Sequence, residues 1–229
     1  MRPPARALNH RTALRALAGL AGAFLCALAA PGAAGAATLV ISVQSSDGRP
    51  LQGAVVTAHV LDAPPRKPQP IKAVMDQVNR AFAPDLLVIP VGSTVTFPNS
   101  DSVSHQIYSF SPAKRLQLPL YRGTPYPPVH FDQAGVVTLG CNIHDQMVGY
   151  LVVTDAPYYG RTDARGAWSS EVAHGRYRIT IWHPRLRDEP GDLERELTVG
   201  ESDHAELTLR LAKPLTPAPL AERSHSWDY

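Results

Sequence analysis

Short segments of alternating apolar and polar residues, separated by turn-forming residues, run through most of this sequence and constrain its fold more than any other feature. Residues 38–43 place an apolar side chain at every second position, and so do residues 176–182 and 205–211. A period of two is typical of strands that bury one face. The turn signal at 45–50 and the proline-rich stretch at 63–70 interrupt the pattern, and few windows show the period of a helix. We therefore predict an all-β protein built from sandwiches or barrels.

The N-terminal segment has the pattern of an export signal. Four arginines between positions 2 and 15 precede an apolar run over about residues 16–30, and small residues follow at 33–37. This pattern predicts a signal peptide over residues 1–36, cleaved after Ala36, and a periplasmic protein. No later run is long and apolar enough to span a bilayer, so we expect no membrane span after the signal is removed.

Removal of the signal also changes the charge. It takes away four arginines and no acidic residue, so the formal net charge falls from +2 to −2 over the remaining 193 residues. The mature chain has no basic stripe with interleaved aromatic residues, so we predict that it does not bind nucleic acid.

The segment Thr138–Met147, with the sequence TLGCNIHDQM, carries the strongest chemical signal. It places a thiol, an imidazole and a thioether in a C-x-x-H-x-x-M pattern through Cys141, His144 and Met147, and His105 lies 36 residues before the cysteine. Two imidazoles, a thiolate and a weak axial thioether form the ligand set of a type 1 (blue) copper site. Cys141 has no other cysteine after the signal with which to form a disulfide, and metal binding would protect such a lone thiol from oxidation.

The predicted strand 135–141 explains how the ligands could meet. Its period of two puts Val137, Leu139 and Cys141 on one face, so the cysteine points inward at the end of the strand. We expect the loop that follows to return His144 and Met147 to the same point.

The segment Val78–Thr154 resembles a cupredoxin. Residues 82–101 (FAPDLLVIPVGSTVTFPNSD) are similar to the opening of that family, and the ligand loop resembles the short amicyanin type. The stretches HQIYSFSPAK and LGCNIHDQMVGY resemble periplasmic proteins of the methylamine-utilisation type. The resemblance implies a cupredoxin Greek-key β-sandwich over residues 70–155, with His105, Cys141, His144 and Met147 as ligands of one copper ion. It also implies a carrier of single electrons, with a c-type cytochrome or an amine-oxidising dehydrogenase as partner.

Two residues depart from this family pattern. Gln106 stands directly after the first histidine, where many cupredoxins have an asparagine that braces the ligand loop. Ile143 stands between the cysteine and the second histidine, where short loops usually have proline. Because isoleucine keeps its N–H, a further hydrogen bond to sulfur could stabilise the reduced site, and we expect a higher reduction potential than a proline-containing loop gives.

The flanking segments resemble a carboxypeptidase-regulatory-like β-module. The resemblance rests on DGRPLQGAVVT at 47–57, on TDARGA and GRYRITI at 162–167 and 175–181, and on residues 194–211. It implies a second small β-sandwich, formed by residues 38–62 and 156–212, into which the copper domain is inserted. In the alternative arrangement, residues 38–60 donate strands to the cupredoxin and the C-terminal sandwich stands alone. Residues 213–229 are rich in proline and charge and are predicted to be a disordered tail.

Other functions fit the sequence less well. Structural zinc sites favour four Cys or His ligands over a thioether. Cys141 and His144 could mimic a nucleophile and its base, but no orienting third group follows and Met147 would have no role. We find no phosphate-binding loop, H-E-x-x-H or G-x-S-x-G pattern, and we predict that the protein is not an enzyme. A copper-delivery protein without redox turnover and a metal-free envelope interaction module are the alternatives to an electron carrier.

Overall fold

The computed structural model describes residues 35–64 and 66–217, and in these residues the chain consists of seventeen strands and one short 3₁₀ helix. The strands are β1 (Ala36–Gln44), β2 (Val55–Val60), β3 (Lys72–Val74), β4 (Asp76–Val78), β5 (Ala81–Ala83), β6 (Leu86–Pro90), β7 (Ser93–Thr96), β8 (His105–Ser111), β9 (Lys114–Tyr121), β10 (Val129–Phe131), β11 (Gly135–Cys141), β12 (His144–Thr154), β13 (Tyr158–Arg161), β14 (Ala167–Ala173), β15 (Gly175–Trp182), β16 (Glu194–Val199) and β17 (His204–Arg210). The 3₁₀ helix spans Pro190–Leu193. The prediction of an all-β fold is confirmed.

The strands at the two ends of the described chain form one sandwich, called here the terminal sandwich. Its sheets have the strand orders β14-β1-β17 and β13-β2-β15-β16. β1 pairs antiparallel with β14 and parallel with β17, while β2 pairs antiparallel with β13 and β15. The alternating residues of β1 form part of its core, because every second side chain from Ala37 to Val43 is buried. The sequence left the partners of β1 and β2 open, and the structure pairs both strands with the C-terminal ones.

The strands between β2 and β13 form the central sandwich. A five-stranded sheet with the order β6-β12-β11-β8-β9 faces a three-stranded sheet with the order β10-β7-β3, and β4 and β5 form a small hairpin. Its core is a separate cluster that includes Met75, Ile107, Phe131, Leu139 and Leu151. The candidate ligands Cys141 and Met147 belong to this same cluster, so the sandwich core extends to the predicted metal site.

A third, smaller apolar cluster joins residues of both sandwiches. Val55 of β2 is buried with Leu86 of β6 and Val152 of β12. The ring of Trp182 on β15 lies against that of Tyr150 on β12, with centroids 5.5 Å apart. Part of the outer face of the five-stranded sheet is therefore covered by the terminal sandwich.

Both predicted terminal segments extend beyond the described residues. Most of the predicted signal, residues 1–34, and residues 218–229 of the predicted tail lie outside them. The predicted tail does not begin at Lys213, because the Lys213 N–H donates to Asp188 and the Thr216 N–H donates to the Arg185 carbonyl. No helix in residues 35–64 or 66–217 is long and apolar enough to span a membrane.

Candidate metal centre

His105 lies at the start of β8, after a turn that side chains hold in place. Asn99 Nδ2 donates to the carbonyls of Val103 and Tyr121, and Asn99 Oδ1 accepts the N–H of Asp101. This Asx-type turn is thereby tied to Tyr121 of the neighbouring strand β9. The His105 side chain points inward and is fully buried.

Cys141 and His144 lie on opposite sides of a tight hairpin. β11 ends at Cys141, Asn142 and Ile143 form a two-residue turn, and β12 begins at His144, which pairs with Cys141. A register shift at Gly140/Cys141 accompanies the turn. The expected ligand loop is therefore wrong in form, because His144 and Met147 lie on a strand rather than in a loop.

Three donor atoms converge at this end of the central sandwich. Nδ1 of His105 lies 3.1 Å from Nδ1 of His144, and Sγ of Cys141 lies 3.9 Å from the first nitrogen and 3.8 Å from the second. A circle through atoms with these separations has a radius of about 2.1 Å, close to the roughly 2.0–2.3 Å bonds that imidazole and thiolate ligands form with a divalent metal. The three atoms thus surround a point at bonding distance from all of them, and the donor set fits a metal ion in a trigonal arrangement.

The environment of this cluster also suits a soft metal. His105 and Cys141 are buried and His144 is partly exposed. Among the described residues 35–64 and 66–217, these three side chains are the only group of three or more His, Cys, Asp or Glu residues close enough to share an ion. A thiolate with two imidazoles is a donor set that suits copper.

Met147 is buried in the core of the central sandwich. It is on β12, three residues after His144, and its side chain is 1% exposed. It packs in the same buried cluster as Cys141 and Leu139. Its position is compatible with the predicted axial role, which stays a prediction.

Asp101 holds the ring of His105 from the side opposite the donor cluster. Its Oδ2 accepts a hydrogen bond from Nε2 at 3.0 Å, and its carboxylate also accepts the N–H groups of Arg80 at 2.7 Å and Ser102 at 2.8 Å. The hydrogen bond from His105 and these two backbone donors lower the pKa of Asp101 to about 2. A ring that donates from Nε2 to this carboxylate presents the lone pair of Nδ1 to Cys141 and His144.

Tyr121 anchors the strand next to His105. It pairs with His105 across β8 and β9, and its hydroxyl donates to the Phe97 carbonyl at 2.7 Å and accepts from Gln77 Nε2 at 2.6 Å. Burial raises the pKa of Tyr121 to about 12, so its phenol stays neutral and keeps both bonds. The buried network fixes the strand that adjoins the site.

Sequence reasoning did not identify Asp101 as a functional residue. The residues Asn, Ser, Asp and Ser at 99–102 are typical of a turn, but the contact between Asp101 and His105 depends on how that turn folds. The Gln106 side chain lies on the outer face of β8, and Asn99 braces the turn that precedes this strand. Ile143 is 51% exposed at the tip of the hairpin.

The other histidines of residues 35–64 and 66–217 do not join the donor cluster. His130 is exposed on β10, His59 pairs with Asp155 at 2.9 Å, and His204 pairs with Glu206 at 2.6 Å. His183 accepts the Arg185 N–H through Nδ1 at 3.2 Å.

Comparison with known proteins gives a limited set of similarities. No protein-family model matches this chain, and no curated protein does. Its structural neighbours include cupredoxins. A purple cupredoxin from Nitrosopumilus maritimus is 30% identical over 36% of this chain and 99% of its own, with a TM-score of 0.32. A reduced amicyanin mutant is 25% identical over 35% of this chain and 80% of its own, with a TM-score of 0.33.

A copper-containing nitrite reductase from Thermus scotoductus is also similar. It is 25% identical over 41% of this chain but only 24% of its own, with a TM-score of 0.34. Since all three TM-scores are below 0.5, these similarities do not decide the function. The case for a metal site rests on the donor atoms of His105, Cys141 and His144.

Proposed function

We propose that this protein is an exported type 1 copper protein of the cupredoxin kind that carries single electrons between periplasmic redox proteins. The observation that carries the proposal is the convergence of two Nδ1 atoms and one Sγ atom around a point about 2.1 Å from each, a typical metal–ligand distance. His105, Cys141 and His144 are the equatorial ligands and Met147 is the weak axial ligand. Copper, when bound, supplies the one-electron couple between Cu(II) and Cu(I).

The surrounding contacts hold the three donor atoms in place. His105 is fixed by Asp101, and Cys141 and His144 are fixed by a two-residue turn between paired strands. A site held by strands changes shape little when its charge changes, which favours fast electron transfer. The buried positions of His105 and Cys141 exclude water, while partly exposed His144 brings the site near the surface.

The same burial argues against copper delivery as the main role. A delivery protein must release its ion to a partner, and two of the three converging ligands here are inaccessible from outside. The resemblance to methylamine-utilisation proteins suggests a c-type cytochrome or an amine-oxidising dehydrogenase as partner. We also propose that the protein is not an enzyme.

Copper titration combined with voltammetry tests the proposal. We expect one equivalent of Cu(II) to bind and to undergo reversible one-electron reduction. Cys141→Ser and His144→Gln should lose this behaviour, whereas His130→Gln, which alters an exposed histidine on β10, should keep it. Circular dichroism of each copper-free variant checks that it is folded. Tight binding without reversible reduction would favour copper handling, and no binding would leave a metal-free interaction module.

A further inference from the structure

The outer face of the five-stranded sheet carries many apolar side chains, and the terminal sandwich covers only part of it. On the covered part, Leu86 and Val152 are buried with Val55, and Tyr150 packs against Trp182. The open part lies over β8 and the first half of β12.

The open part carries large exposed apolar side chains. Phe110 is 77% exposed and Val148 is 39% exposed, and the Tyr108 ring lies beside that of Phe110 with centroids 5.4 Å apart. A surface groove of about 600 Å³ runs along Tyr108 and Phe110. A second, smaller groove of about 370 Å³ lies between these two residues and Val148. Exposed aromatic residues grouped in this way are typical of protein–protein contact sites.

This face adjoins the metal centre through the backbone. The groove is lined by Gln106 and Asn142, which directly follow the candidate ligands His105 and Cys141 in the chain. A partner that contacts the groove therefore lies within one residue of two ligands.

The ring of Tyr108 lies against the backbone next to the candidate ligand Cys141. Tyr108 pairs with Gly140, the residue before Cys141, and a Cβ at position 140 would come within 2.8 Å of the tyrosine ring. Glycine at this position allows the ring to lie directly on the backbone that leads to the thiol. The open part of the face thus reaches the metal centre without an intervening layer of side chains.

Arg115 gives this face a charge preference. It is the only charged residue that lines the groove, and its guanidinium forms no hydrogen bond or ion pair with any other described residue. An unpaired guanidinium beside an apolar surface is a good partner for a carboxylate, since it can form a bidentate ion pair.

We propose that the face formed by Tyr108, Phe110, Val148 and Arg115 is the docking surface for a redox protein with an apolar contact face that bears a carboxylate. This inference rests on the proposed function, because it concerns the partner of the same metal centre. A second copy of this chain fits less well, because the groove lining of that copy offers no carboxylate to Arg115.

Stopped-flow kinetics with copper-loaded protein test the proposal. The probes are a reduced acidic bacterial c-type cytochrome and, for comparison, a basic mitochondrial-type cytochrome c. The variants are Phe110→Ser and Arg115→Glu. Leu120→Ser is the control for the first, because Leu120 is 58% exposed but does not line the groove. Arg187→Glu is the control for the second, because it makes the same charge change at an exposed site after β15.

We expect wild type to react faster with the acidic cytochrome, and each groove variant to slow this reaction at least tenfold while the controls stay within twofold of wild type. Arg115→Glu should reverse the preference between the two cytochromes. Equal rates in wild type and the groove variants, or equal losses in the controls, would overturn the docking surface. A wild-type dimer in sedimentation that dissociates in Phe110→Ser would overturn it in favour of a second copy.

Copper content and reduction potential, measured first on every protein, separate this test from that of the proposed function. Wild type that fails to bind copper or to be reduced contradicts the proposed function. Variants with unchanged copper binding and unchanged rates contradict the docking surface alone.

Discussion

Replacement of Asp101 should change the metal centre although Asp101 is not a ligand. Its carboxylate accepts the Nε2 proton of His105 at 3.0 Å and is itself held by two backbone N–H groups. Asp101→Ala removes both the acceptor and the charge. Asp101→Asn keeps an acceptor oxygen in a side chain of similar size and removes only the charge. Comparison of the two variants therefore separates the effect of orienting the His105 ring from the effect of the charge.

The expected magnitudes follow from this geometry. Loss of an outer partner of a ligating histidine typically weakens metal binding by about 10–100-fold, and we expect this for Asp101→Ala. The carboxylate oxygen lies 3.0 Å from Nε2, so an ion bound to Nδ1 across the ring is roughly 7 Å from the charge if the metal–nitrogen bond is about 2 Å. One charge at that distance contributes about 0.6 kcal/mol in water and about 2.4 kcal/mol at an effective dielectric constant of about 20.

For a one-electron couple these energies correspond to about 25–100 mV. Because a negative charge favours Cu(II) over Cu(I), its removal in Asp101→Asn should raise the reduction potential by this amount. Since the pKa of Asp101 is lowered to about 2, the carboxylate is ionised at neutral pH, where the potential would be measured.

Voltammetry and a competition titration with a copper chelator check both effects. Asp155→Asn is the matched control, because Asp155 makes an exposed hydrogen-bonded pair with His59 that lies in neither the donor cluster nor its support. A potential within about 10 mV of wild type in Asp101→Asn, together with an unchanged copper affinity in Asp101→Ala, would refute the reasoning, since a charge at this distance must act on the ion.

Three further predictions concern other residues. Met147→Leu should keep the blue absorption and cost less than about 1.5 kcal/mol in the free energy of unfolding, but should raise the reduction potential because the axial thioether is lost; an unchanged potential would make Met147 a core residue only. Ile143→Pro should lower the potential because it removes the N–H between the cysteine and the second histidine; voltammetry that shows no change or a rise would contradict this. Burial lowers the pKa of His183 from 6.5 to about 4, so the stability that its neutral ring contributes is complete above pH 6.5 and is lost as the pH falls towards 4. Urea unfolding should therefore show that the free energy of unfolding falls less between pH 7.5 and pH 4.5 in His183→Asn than in wild type. An equal fall in both proteins would contradict the lowered pKa of His183.

Much of the fold could be predicted because local alternation marks strands directly. β1, β15 and β17 follow the apolar period of two almost residue for residue. β9 is harder to recognise from sequence, because Leu116, Leu118 and Leu120 alternate in it but Pro119 is not typical of a sheet interior. The strand is at the edge of its sheet, where proline is tolerated because one side of the strand has no partner.

Pairing between distant strands could not be predicted in the same way. The alternation in β1 shows that one face is buried, but it does not show that the strand lies between β14 and β17. Such pairings depend on the shape of the complete core, which a local pattern does not contain.

The candidate site also has a part that local sequence predicts and a part that depends on the fold. Cys141 and His144 are three residues apart, so the sequence could predict that both are ligands. His105 was added because a type 1 copper site needs a second imidazole. The hairpin turn at Asn142–Ile143 was not foreseen, because Asn-Ile lacks the glycine that typically marks a two-residue hairpin turn. Asp101 was missed because its contact with His105 is set by the fold of the 99–102 turn.

Visible absorption of the purified mature protein during titration with Cu(II) and then ascorbate tests the central claim most directly. A type 1 site predicts an intense blue thiolate-to-copper band that saturates at one equivalent and bleaches reversibly. Copper binding without this band, or no binding, would contradict the assignment of Cys141, His105 and His144 as the ligands of a blue-copper electron carrier.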